Sequence, residues 1–464
     1  MIPVAAFNQR TVAVLGLARS GLSTARALRA GGADVVAWDD AAARREAARA
    51  AGITLADPAG LDWREIAALV PSPGVPLHAP TPHAAVLAAR AAGCEVIGDM
   101  ELFARAKLPA RIAAVTGTNG KSTTTALLAY VLRACGRAAV EGGNIGTAVL
   151  DLPVLGDGGV YVLELSSYQL DLTKSFTADI AVMLNLSADH IDRHGSMAAY
   201  VAAKERLFLQ QRPEQIAAIG VDDADSRAMF ERVRTARPKS TVPFSANSPV
   251  PGGVFVQDGV LHDARLGPAR PVIDQRRGRL IGGHNWQNAA AAYVAATALD
   301  CPPEAAARAL LTFPGLAHRI EDVGVVQGVR FINDSKATNA DAAARALACF
   351  DNVYWIAGGR PKEGGIGSLA SYFPRIRHAF LIGEAAADFA ATLADTVPHT
   401  RSQTLARATE AALTAARKDG IQNAVVLLSP ACASFDQFKN FEERGDVFRD
   451  LVGSLGGGKQ KVAR

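Results

Sequence analysis

The sequence predicts an α/β protein with three domains, and two observations predict it: the length of the chain and a repeated local pattern. A chain of 464 residues is too long for one hydrophobic core, so two to four domains are expected. Short apolar runs are followed repeatedly by a glycine-containing turn and an Ala/Leu-rich helical stretch. This pattern is typical of parallel strands joined by right-handed crossover helices. We place the domains at residues 1–110, 111–317 and 318–464.

Composition narrows the class of protein. Apolar residues make up 49% of the chain and charged residues 20%, as in ordinary soluble enzymes. The formal net charge of +4 is too small to indicate a nucleic-acid partner. The five cysteines are scattered without a CxxC pair, which argues against a disulfide framework or a zinc knuckle. The N-terminus shows no signal-peptide pattern, and no apolar run approaches the ~18–20 residues of a membrane span, so we expect a cytoplasmic protein.

The first domain opens with a predicted strand at Thr11–Leu15, a turn, a helix from Leu22 to Ala30 and a second strand near Val35–Trp38. In the turn Gly16–Gly21, Ala18 stands where a dinucleotide-binding fingerprint has its second glycine, which lets the backbone approach a pyrophosphate. NAD binding is therefore not favoured. Asp39 ends the second strand, where dehydrogenases have their ribose-binding acid. The alternative interpretation is a packing domain whose crevice binds no ligand.

A second strand–turn–helix follows at residues 111–135 and contains the most informative motif. The strand runs into Thr116-Gly-Thr-Asn-Gly-Lys-Ser-Thr123, and a helix is predicted from Thr124 to Cys135. Glycines in such a turn let successive N–H groups face one anion, and the helix N-terminus adds the positive end of its dipole. The position between a strand and a helix favours a phosphate-binding loop.

Two side chains of this motif are suited to phosphate chemistry. Lys121 is placed to reach the outer phosphates of a nucleotide, and the hydroxyl of Ser122 or Thr123 is placed to hold Mg²⁺. The alternative interpretation is a glycine-rich turn with a solvated lysine. The two glycines, the Lys-Ser pair and the context favour the phosphate loop, although its spacing is shorter than G-x-x-x-x-G-K-[ST].

Three further residues of the central domain follow predicted strands or lie on a helix. Glu164 ends the apolar run that starts at Tyr161, His190 follows the strand Ile180–Leu184, and Lys204 falls on a helix. Open α/β sheets bind ligands at the carboxyl ends of their strands, and a carboxylate suits Mg²⁺. Taken alone, His190 is more typical of a hydrogen-bonded structural residue and Lys204 of a solvated helix residue.

Two polar stretches mark the third domain. Phe331-Ile-Asn-Asp-Ser-Lys-Ala-Thr-Asn339 follows the start of a strand at Val329. A second stretch runs from Leu428, the end of the predicted strand Val425–Leu428, to Gly445. Lys336 and Thr338, two residues apart in an extended loop, are placed to face the same side and bind a carboxylate. Each stretch alone is equally typical of a strand that ends in a polar turn.

Together the motifs resemble a known family. The Gly-Thr-Asn-Gly-Lys-Ser sequence of the phosphate loop resembles the Mur ligase and folylpolyglutamate synthase superfamily. Asn-Asp-Ser-Lys-Ala-Thr-Asn339 and Ser-Pro-Ala-Cys-Ala-Ser434, followed by Phe-Lys-Asn-Phe-Glu-x-Arg-Gly445, resemble the D-glutamate-adding branch. The Asp-Asn-Pro-Arg motif of the branch that adds meso-diaminopimelate or lysine is not found in the sequence. The resemblance runs from about Val12 to Phe448.

The resemblance implies a Rossmann-like N-terminal domain that binds the UDP substrate, a central P-loop ATPase-like domain and a Rossmann-like C-terminal domain that binds the amino acid. It implies ATP-dependent ligation of D-glutamate to UDP-N-acetylmuramoyl-L-alanine through an acyl phosphate, a cytoplasmic step of peptidoglycan synthesis. The implied cofactors are ATP and two Mg²⁺ ions, with Lys204 carbamylated. We expect a monomer with no nucleic-acid partner and no membrane span. The alternatives are a folylpolyglutamate synthase-like ligase and a non-catalytic nucleotide-binding regulator.

The resemblance also implies roles for individual residues. The implied catalytic residues are Lys121, His190 and Lys204. The implied ATP-binding residues are Gly117, Thr118, Asn119, Gly120, Lys121, Ser122, Thr123, Asn285, Asn288, Arg319 and Asp334. The implied metal ligands are Ser122, Glu164, His190 and Lys204. The UDP substrate is expected near Arg19, Ser20, Asp39, Asp40, Ser72 and Asn144, and D-glutamate near Lys336, Thr338, Lys362, Ser434 and Phe441.

Overall fold

The computed structural model describes residues 1–79, 81–280, 282–362 and 364–456, and it is an α/β structure with three β-sheets. The chain forms two compact units. One comprises Met1–Gly278 with Gly283–Phe313, and the other comprises Arg279–Gly282 with Pro314–Arg464. The first unit contains two sheets and the second contains one. The end of the predicted third domain, residues 457–464, lies outside the described residues.

The first sheet consists of five parallel strands. They are β1 (Thr11–Leu15), β2 (Asp34–Trp38), β3 (Thr54–Leu55), β4 (Ala68–Pro71) and β5 (Glu95–Val96), in the order β3-β2-β1-β4-β5. Its helices are α1 (Arg19–Ala30), α2 (Ala42–Ala50), α3 (Ala84–Ala91) and α4 (Asp99–Arg105). The strand order reverses between β1 and β4, so the loops after these two strands border the crevice where open α/β sheets bind ligands.

The turn between β1 and α1 depends on a close backbone approach. Helix α1 begins at Arg19, three residues before the predicted start at Leu22, and buries Leu28 in the core. A Cβ at Gly21 would lie 1.8 Å from the carbonyl oxygen of Gly16. Glycine at this position is therefore required for the helix to pack against the end of the strand, which is the function of the third glycine in related nucleotide-binding turns.

The second sheet, also in the first unit, has nine strands. They are β6 (Arg111–Thr116), β7 (Ala139–Gly143), β8 (Val160–Glu164), β9 (Ile180–Met183), β10 (Ile216–Gly220), β11 (Thr241–Ser245), β12 (Val254–Gln257), β13 (Val260–Asp263) and β14 (Arg270–Asp274). The order is β14-β13-β12-β11-β10-β9-β6-β8-β7, parallel from β7 to β12 and antiparallel from β12 to β14. Its helices are α5 (Lys121–Ala134), α6 (Ser167–Leu170), α7 (Ile191–His194), α8 (Met197–Leu209), α9 (Ala224–Ala236), α10 (Gly283–Ala298) and α11 (Pro303–Thr312).

The third sheet forms the core of the second unit. Its strands are β15 (Glu321–Val326), β16 (Val329–Asn333), β17 (Val353–Gly358), β18 (Ile376–Ile382), β19 (His399–Gln403) and β20 (Val425–Leu428). The order is β15-β16-β20-β17-β18-β19, with β15 antiparallel to β16 and the other pairs parallel. The helices are α12 (Ala340–Leu347), α13 (Ala386–Leu393), α14 (Leu405–Asp419) and α15 (Phe441–Leu455). Short 3₁₀ helices complete the fold at Ala5–Phe7, Pro58–Gly60, Val149–Asp151, Gln275–Arg277 and Gly367–Arg375.

The predicted α/β class is confirmed by the three sheets. The boundaries at residues 110 and 317 remain predictions, because the first two sheets lie together in one compact unit. The antiparallel strands β13, β14 and β15 are additions that the repeated strand–turn–helix pattern does not predict. None of the helices in the described part of the chain is long and apolar enough to cross a membrane.

Substitution of Gly21 tests the close approach between α1 and β1. We expect Gly21→Ala to lower the free energy of unfolding by about 1–3 kcal/mol, since the added methyl group overlaps the carbonyl of Gly16. Gly60→Ala is the control, because a Cβ there meets no heavy atom within 4 Å. Its expected effect in urea denaturation is within about 0.5 kcal/mol. Equal destabilisation by both substitutions would contradict the packing argument.

Candidate active site

The phosphate loop lies between β6 and α5 in the first unit. Gly117 has φ of 147° and Gly120 has φ of 84°, conformations that favour glycine. A Cβ at Gly120 would also lie 2.3 Å from the Oδ1 atom of Asn288. Helix α5 begins at Lys121 rather than at the predicted Thr124. The first N–H groups of the helix therefore lie within the motif itself, where they have no partners inside the helix and are suited to an anion.

Hydrogen bonds from the segment after β9 fix the shape of this loop. The backbone N–H of Asn119 donates to Asn185 Oδ1 at 2.9 Å, and the N–H of Thr118 donates to the Asn185 carbonyl at 2.8 Å. The Thr118 hydroxyl is 2.9 Å from the hydroxyl of Tyr200 on α8. The loop is thus organised before any ligand binds. The sequence patterns did not single out Asn185 or Tyr200. Asn185 directly follows the predicted strand Ile180–Leu184, and Tyr200 lies four residues before Lys204.

The ammonium group of Lys121 lies over its own loop. Its Nζ atom donates to the carbonyl oxygens of Gly117, at 3.0 Å, and Thr118, at 2.8 Å. This conformation places a positive charge beside the glycine-rich turn and the helix N-terminus. A phosphate bound there would meet the lysine and the backbone N–H groups together.

Helix α10 contributes two buried asparagines to the same region. Asn288 Oδ1 accepts a hydrogen bond from the Thr124 hydroxyl at 3.1 Å, and Asn288 Nδ2 donates to Asn285 Oδ1 at 2.9 Å. Asn288 therefore contacts the first turns of α5 and the Cα of Gly120 closely. The structure places this predicted ATP-binding residue beside the phosphate loop.

Glu164 lies at the end of β8 and is 2% exposed. Its Oε1 atom accepts a hydrogen bond from Asn144 Nδ2 at 2.7 Å, whereas its Oε2 atom is buried and has no hydrogen-bond partner among the described residues. An unpartnered buried carboxylate oxygen is unfavourable. A hard cation such as Mg²⁺ would satisfy it, so this residue fits the predicted role of metal ligand.

Lys204 is buried on α8 and points to the phosphate loop. Its Nζ atom lies 3.0 Å from the carbonyl oxygen of Gly117, 3.2 Å from Thr116 Oγ1 and 4.9 Å from the centroid of the Tyr200 ring. Burial, reinforced by the charge of Lys121, lowers the pKa of Lys204 well below its ordinary value. The site therefore favours the neutral amine, which is the form that carbamylation requires.

His190 precedes α7 with φ of 54° and is exposed. Its ring centroid is 4.9 Å from that of Tyr168, and its Nε2 atom is 3.4 Å from Asp189 Oδ2. Within the described residues, no group of three or more His, Cys, Asp or Glu side chains is arranged to hold a metal ion. A metal held by Glu164 and His190 would thus need further donors of other kinds, such as the Ser122 hydroxyl, water or a carbamate.

At the edge of the first sheet, Asp39 and Ser72 fix the loops that border the predicted nucleotide crevice. Asp39 is buried, and its carboxylate accepts hydrogen bonds from the N–H groups of Leu17, at 2.7 Å, and Ala41, at 2.9 Å. The Ser72 hydroxyl donates to the Gly16 carbonyl at 2.8 Å. These contacts connect the loops after β1, β2 and β4, so Asp39 orders the crevice by holding its loops.

The remaining predicted nucleotide residues line or flank this crevice. Ser20 and Ser72 belong to a small cavity that also contains Thr24 and Asp99. Arg19 and Asp40 are exposed, and Asp40 Oδ2 lies 3.3 Å from His83 Nε2. Arg19 and Asp40 are thus accessible to a nucleotide that enters the crevice, whereas Ser20 and Ser72 are half-buried.

In the second unit, Asp334 is a buried carboxyl group at the end of β16. Its Oδ2 atom accepts a hydrogen bond from the Ser429 hydroxyl at 2.8 Å, and its Oδ1 atom accepts one from the N–H of Ile320 at 3.2 Å. Burial raises the pKa of Asp334 to about 7, and these hydrogen bonds and the charge of Arg319 only partly oppose that increase.

The predicted amino-acid residues lie around the carboxyl ends of β16, β17 and β20. The Lys336 Nζ atom lies 4.0 Å from the centroid of the Phe441 ring. Buried Arg444 donates to the Ser335 hydroxyl at 3.0 Å and to the carbonyls of Ser335 and Cys432 at 2.8 and 3.1 Å. Arg444 therefore joins the two sequence motifs of this unit. Ser434 is buried, Thr338 is half-buried and Lys362 is exposed.

Comparisons with known proteins give the family. The family model described as "Mur ligase middle domain" matches residues 115–296, and "Mur ligase, glutamate ligase domain" matches residues 318–432. Two proteins named UDP-N-acetylmuramoylalanine--D-glutamate ligase, from Phenylobacterium zucineum (strain HLK1) and Caulobacter vibrioides (strain NA1000 / CB15N), are 54% and 53% identical to this chain over 100% of both lengths. The chain belongs to the Mur ligase family.

Solved structures share the fold of this Mur ligase. The UDP-N-acetylmuramate-alanine ligase of Thermotoga maritima aligns with a TM-score of 0.58 at 17% identity, over 96% of this chain and 100% of that one. A pseudomurein peptide ligase type C from Methanothermus fervidus aligns with a TM-score of 0.56 at 18% identity, again over 96% and 100%. At these identities the similarity shows the fold alone.

The structure of this Mur ligase brings some of the predicted site residues together. The phosphate loop, Lys121, Lys204 and Asn288 lie together, and Glu164 is close enough to Lys204 to influence its charge. Lys336 and Phe441 are also in contact. In the described part of the chain, His190 forms no hydrogen bond or ion pair with Glu164 or Lys204. Sequence reasoning did not select Asn185, Tyr200, Ser335 or Arg444, whose polar contacts support the two sites.

Asp334 predicts a pH dependence of stability in this Mur ligase. The pKa of its carboxyl group rises from 3.8 to about 7 on folding, so the folded protein retains a proton that the unfolded chain has released. The resulting stabilisation is complete below about pH 4 and is lost as the pH rises through about 7. Asp334→Asn cannot ionise and keeps the same shape. Relative to this variant, we expect the wild type to lose up to about 1.4 kcal/mol of unfolding free energy per pH unit in that window.

Urea denaturation at several pH values measures this difference. Asp450→Asn, at an exposed position on α15, is the control and is expected to keep the pH profile of the wild type. Parallel profiles for the wild type and Asp334→Asn would show that Asp334 does not retain a proton on folding.

Proposed function

We propose that this chain ligates D-glutamate to UDP-N-acetylmuramoyl-L-alanine with hydrolysis of ATP to ADP and phosphate. The observation that carries the proposal is the organised phosphate loop, with Lys121 lying over it and Lys204 buried beneath it. Full-length relatives named UDP-N-acetylmuramoylalanine--D-glutamate ligase support the choice of substrates. The chain is thus a ligase of peptidoglycan-precursor synthesis, and we propose that it acts in the cytoplasm as a monomer.

The first step activates a carboxylate, which is by itself a poor acyl donor. An oxygen of the L-alanine carboxylate attacks the γ-phosphorus of ATP, the bond to the β–γ bridging oxygen breaks, and an acyl phosphate and ADP result. The ammonium of Lys121 and the N-terminus of α5 neutralise the negative charge on the transferring phosphoryl oxygens. The Gly117–Gly120 turn supplies backbone N–H groups to the same phosphates.

Magnesium binding fits the donors around the loop. Glu164 offers a buried carboxylate oxygen that has no hydrogen-bond partner among the residues described, and Ser122 offers a hydroxyl at the start of α5. His190 and a carbamylated Lys204 are the other proposed ligands of two Mg²⁺ ions. Bound Mg²⁺ supplies charge neutralisation at the phosphates.

The environment of Lys204 supports the proposed carbamylation. The neutral amine attacks the carbon of CO₂, a C–N bond forms, and one proton is released to solvent. Because burial and the charge of Lys121 lower the pKa of this amine, its neutral, reactive form is more populated than that of an exposed lysine at the same pH. The product is an anionic oxygen donor in place of a second buried cation beside Lys121.

The second step forms the peptide bond. The neutral amine of D-glutamate attacks the acyl carbon, and the tetrahedral intermediate collapses with departure of phosphate. We place D-glutamate in the second unit, in a set of residues that offers cationic and hydroxyl donors for its carboxylates: Lys336, Thr338, Lys362, Ser434 and Phe441. Either His190 or a carboxylate removes the proton from the incoming amine.

The nucleotides occupy the crevices at the carboxyl ends of the sheets. UDP lies in the crevice between β1 and β4, near Arg19, Ser20, Asp40 and Ser72, with Asp39 holding the loops. Asn144, which follows β7 of the second sheet, contacts another part of the same substrate. ATP lies at the phosphate loop, residues 117–123, with Asn285 and Asn288 beside it. From the second unit, Arg319 and Asp334 are proposed to bind ATP.

Phosphate release tests the function directly. With ATP and UDP-N-acetylmuramoyl-L-alanine present, we expect release to depend on D-glutamate and to be at least ~100-fold slower with L-glutamate, since a hydrogen-bonding site discriminates strongly against misplaced polar groups. Release with L-glutamate on a folate substrate would assign the chain to the folylpolyglutamate synthase type. Release under neither condition would favour a nucleotide-binding regulator.

A further inference from the structure

Arg193 joins the two sheets of the first unit. It lies on the short helix α7, three residues after His190, and its side chain is half-buried. The guanidinium donates to the carbonyl oxygens of Pro73, at 3.1 Å, Gly74, at 3.1 Å, and Val75. Three hydrogen bonds to one charged group form a strong and directional contact, which the planar fork of arginine makes possible.

The three carbonyls belong to the loop after β4, on the border of the nucleotide crevice. In the described part of the chain, no backbone N–H donates to them, so Arg193 is a main source of their hydrogen bonds. The loop begins at Ser72, whose hydroxyl bonds the Gly16 carbonyl across the crevice. The position of residues 73–75 therefore depends on the side chain of Arg193, which lies on α7, a helix of the second sheet.

The other side of Arg193 connects to the candidate catalytic region. Its guanidinium carbon lies 4.8 Å from the centroid of the Tyr168 ring, and the same ring lies 4.9 Å from the ring of His190. Tyr168 also stacks on His194, at 5.6 Å between centroids. Arg193, Tyr168 and the two histidines thus form a continuous set of contacts from the nucleotide crevice to the start of α7.

We propose that Arg193 is a positioning residue for the UDP substrate, and this inference rests on the proposed function. By fixing residues 73–75 against α7, Arg193 holds the nucleotide end of the crevice at a set distance from the region where the substrate carboxylate reacts. A loop that is ordered before binding does not lose conformational entropy when the substrate arrives. The residue acts through the loop and does not contact the reacting atoms.

Substitution of Arg193 separates this role from general stability. We expect Arg193→Ala to raise KM for UDP-N-acetylmuramoyl-L-alanine about 10- to 100-fold, the effect of losing one strong hydrogen bond to a charged group. KM for ATP and for D-glutamate should change less than about threefold, a shift of under 0.7 kcal/mol on the same scale. Arg193→Lys keeps the charge without the planar fork, so we expect it to recover part of the loss.

Arg232→Ala is the matched control. Arg232 is an exposed arginine of α9 whose Nε atom pairs with Glu205 at 2.9 Å, away from the crevice loops. We expect it to keep all three KM values of the wild type. Equal increases in the three KM values for Arg193→Ala, or a fall in kcat with an unchanged KM for the UDP substrate, would overturn the inference.

Calorimetric binding of UDP-N-acetylmuramoyl-L-alanine without ATP provides a readout that does not require turnover. Weaker binding to Arg193→Ala than to the wild type and to Arg232→Ala supports the positioning role, and equal binding to all three contradicts it. Absence of D-glutamate-dependent phosphate release by the wild type would instead contradict the proposed function. The two failures are therefore distinguishable.

Discussion

The candidate site of the first unit depends on one electrostatic constraint, the burial of Lys204 beside the phosphate loop. Its Nζ atom contacts the Gly117 carbonyl, which also accepts a hydrogen bond from Lys121. Burial disfavours the charged form of Lys204, and the nearby charge of Lys121 adds repulsion, so the pKa of Lys204 falls well below its ordinary value. The phosphate loop, the amine of Lys204 and the carboxylate of Glu164 thus form one site. Only one oxygen of that carboxylate has a hydrogen-bond partner among the described residues, so the site is suited to a phosphate group and a metal ion from solution.

Backbone geometry gives this arrangement its precision. Gly120 allows α5 to start at Lys121 and to approach Asn288, while Asn185 and Tyr200 hold the loop from the other side. Equivalent devices act in the first sheet, where Gly21 permits the close approach of α1 and Asp39 binds the N–H groups of two loops. Many of the contacts that shape each site therefore join a side chain to backbone atoms.

Local sequence patterns predicted the strands that have strong apolar runs between turns. β1 and β20 have the predicted limits, Thr11–Leu15 and Val425–Leu428. The start of α5 was placed three residues late because the polar motif hides the first helical turn. β15 was missed because Glu321–Val326 is a partly exposed edge strand whose acidic residues and Gly324 interrupt the apolar pattern, although its antiparallel partner β16 begins only three residues later.

The candidate site was less accessible to sequence reasoning than the fold. Lys204 by itself predicted a solvated helix residue, and its burial arises from tertiary packing that its helix does not encode. Asp39 matched a ligand-binding position but in the structure orders two loops. The family resemblance supplied the roles of the ligand-binding residues, and these roles remain proposals. Contacts such as those of Arg193 and Arg444 join segments distant in sequence, so local motifs give no signal of them.

Carbon NMR can show directly whether the amine of Lys204 reacts with CO₂ to form a carbamate. Protein equilibrated with ¹³C-labelled bicarbonate would be examined by carbon NMR, with Lys204→Gln as the matched control that keeps a polar side chain but lacks the amine. We expect a carbamate resonance in the wild type that is absent from the variant, since burial and the charge of Lys121 lower the pKa of this amine and favour the neutral form that reacts with CO₂. Identical spectra for the two proteins, without a carbamate resonance in either, would contradict it.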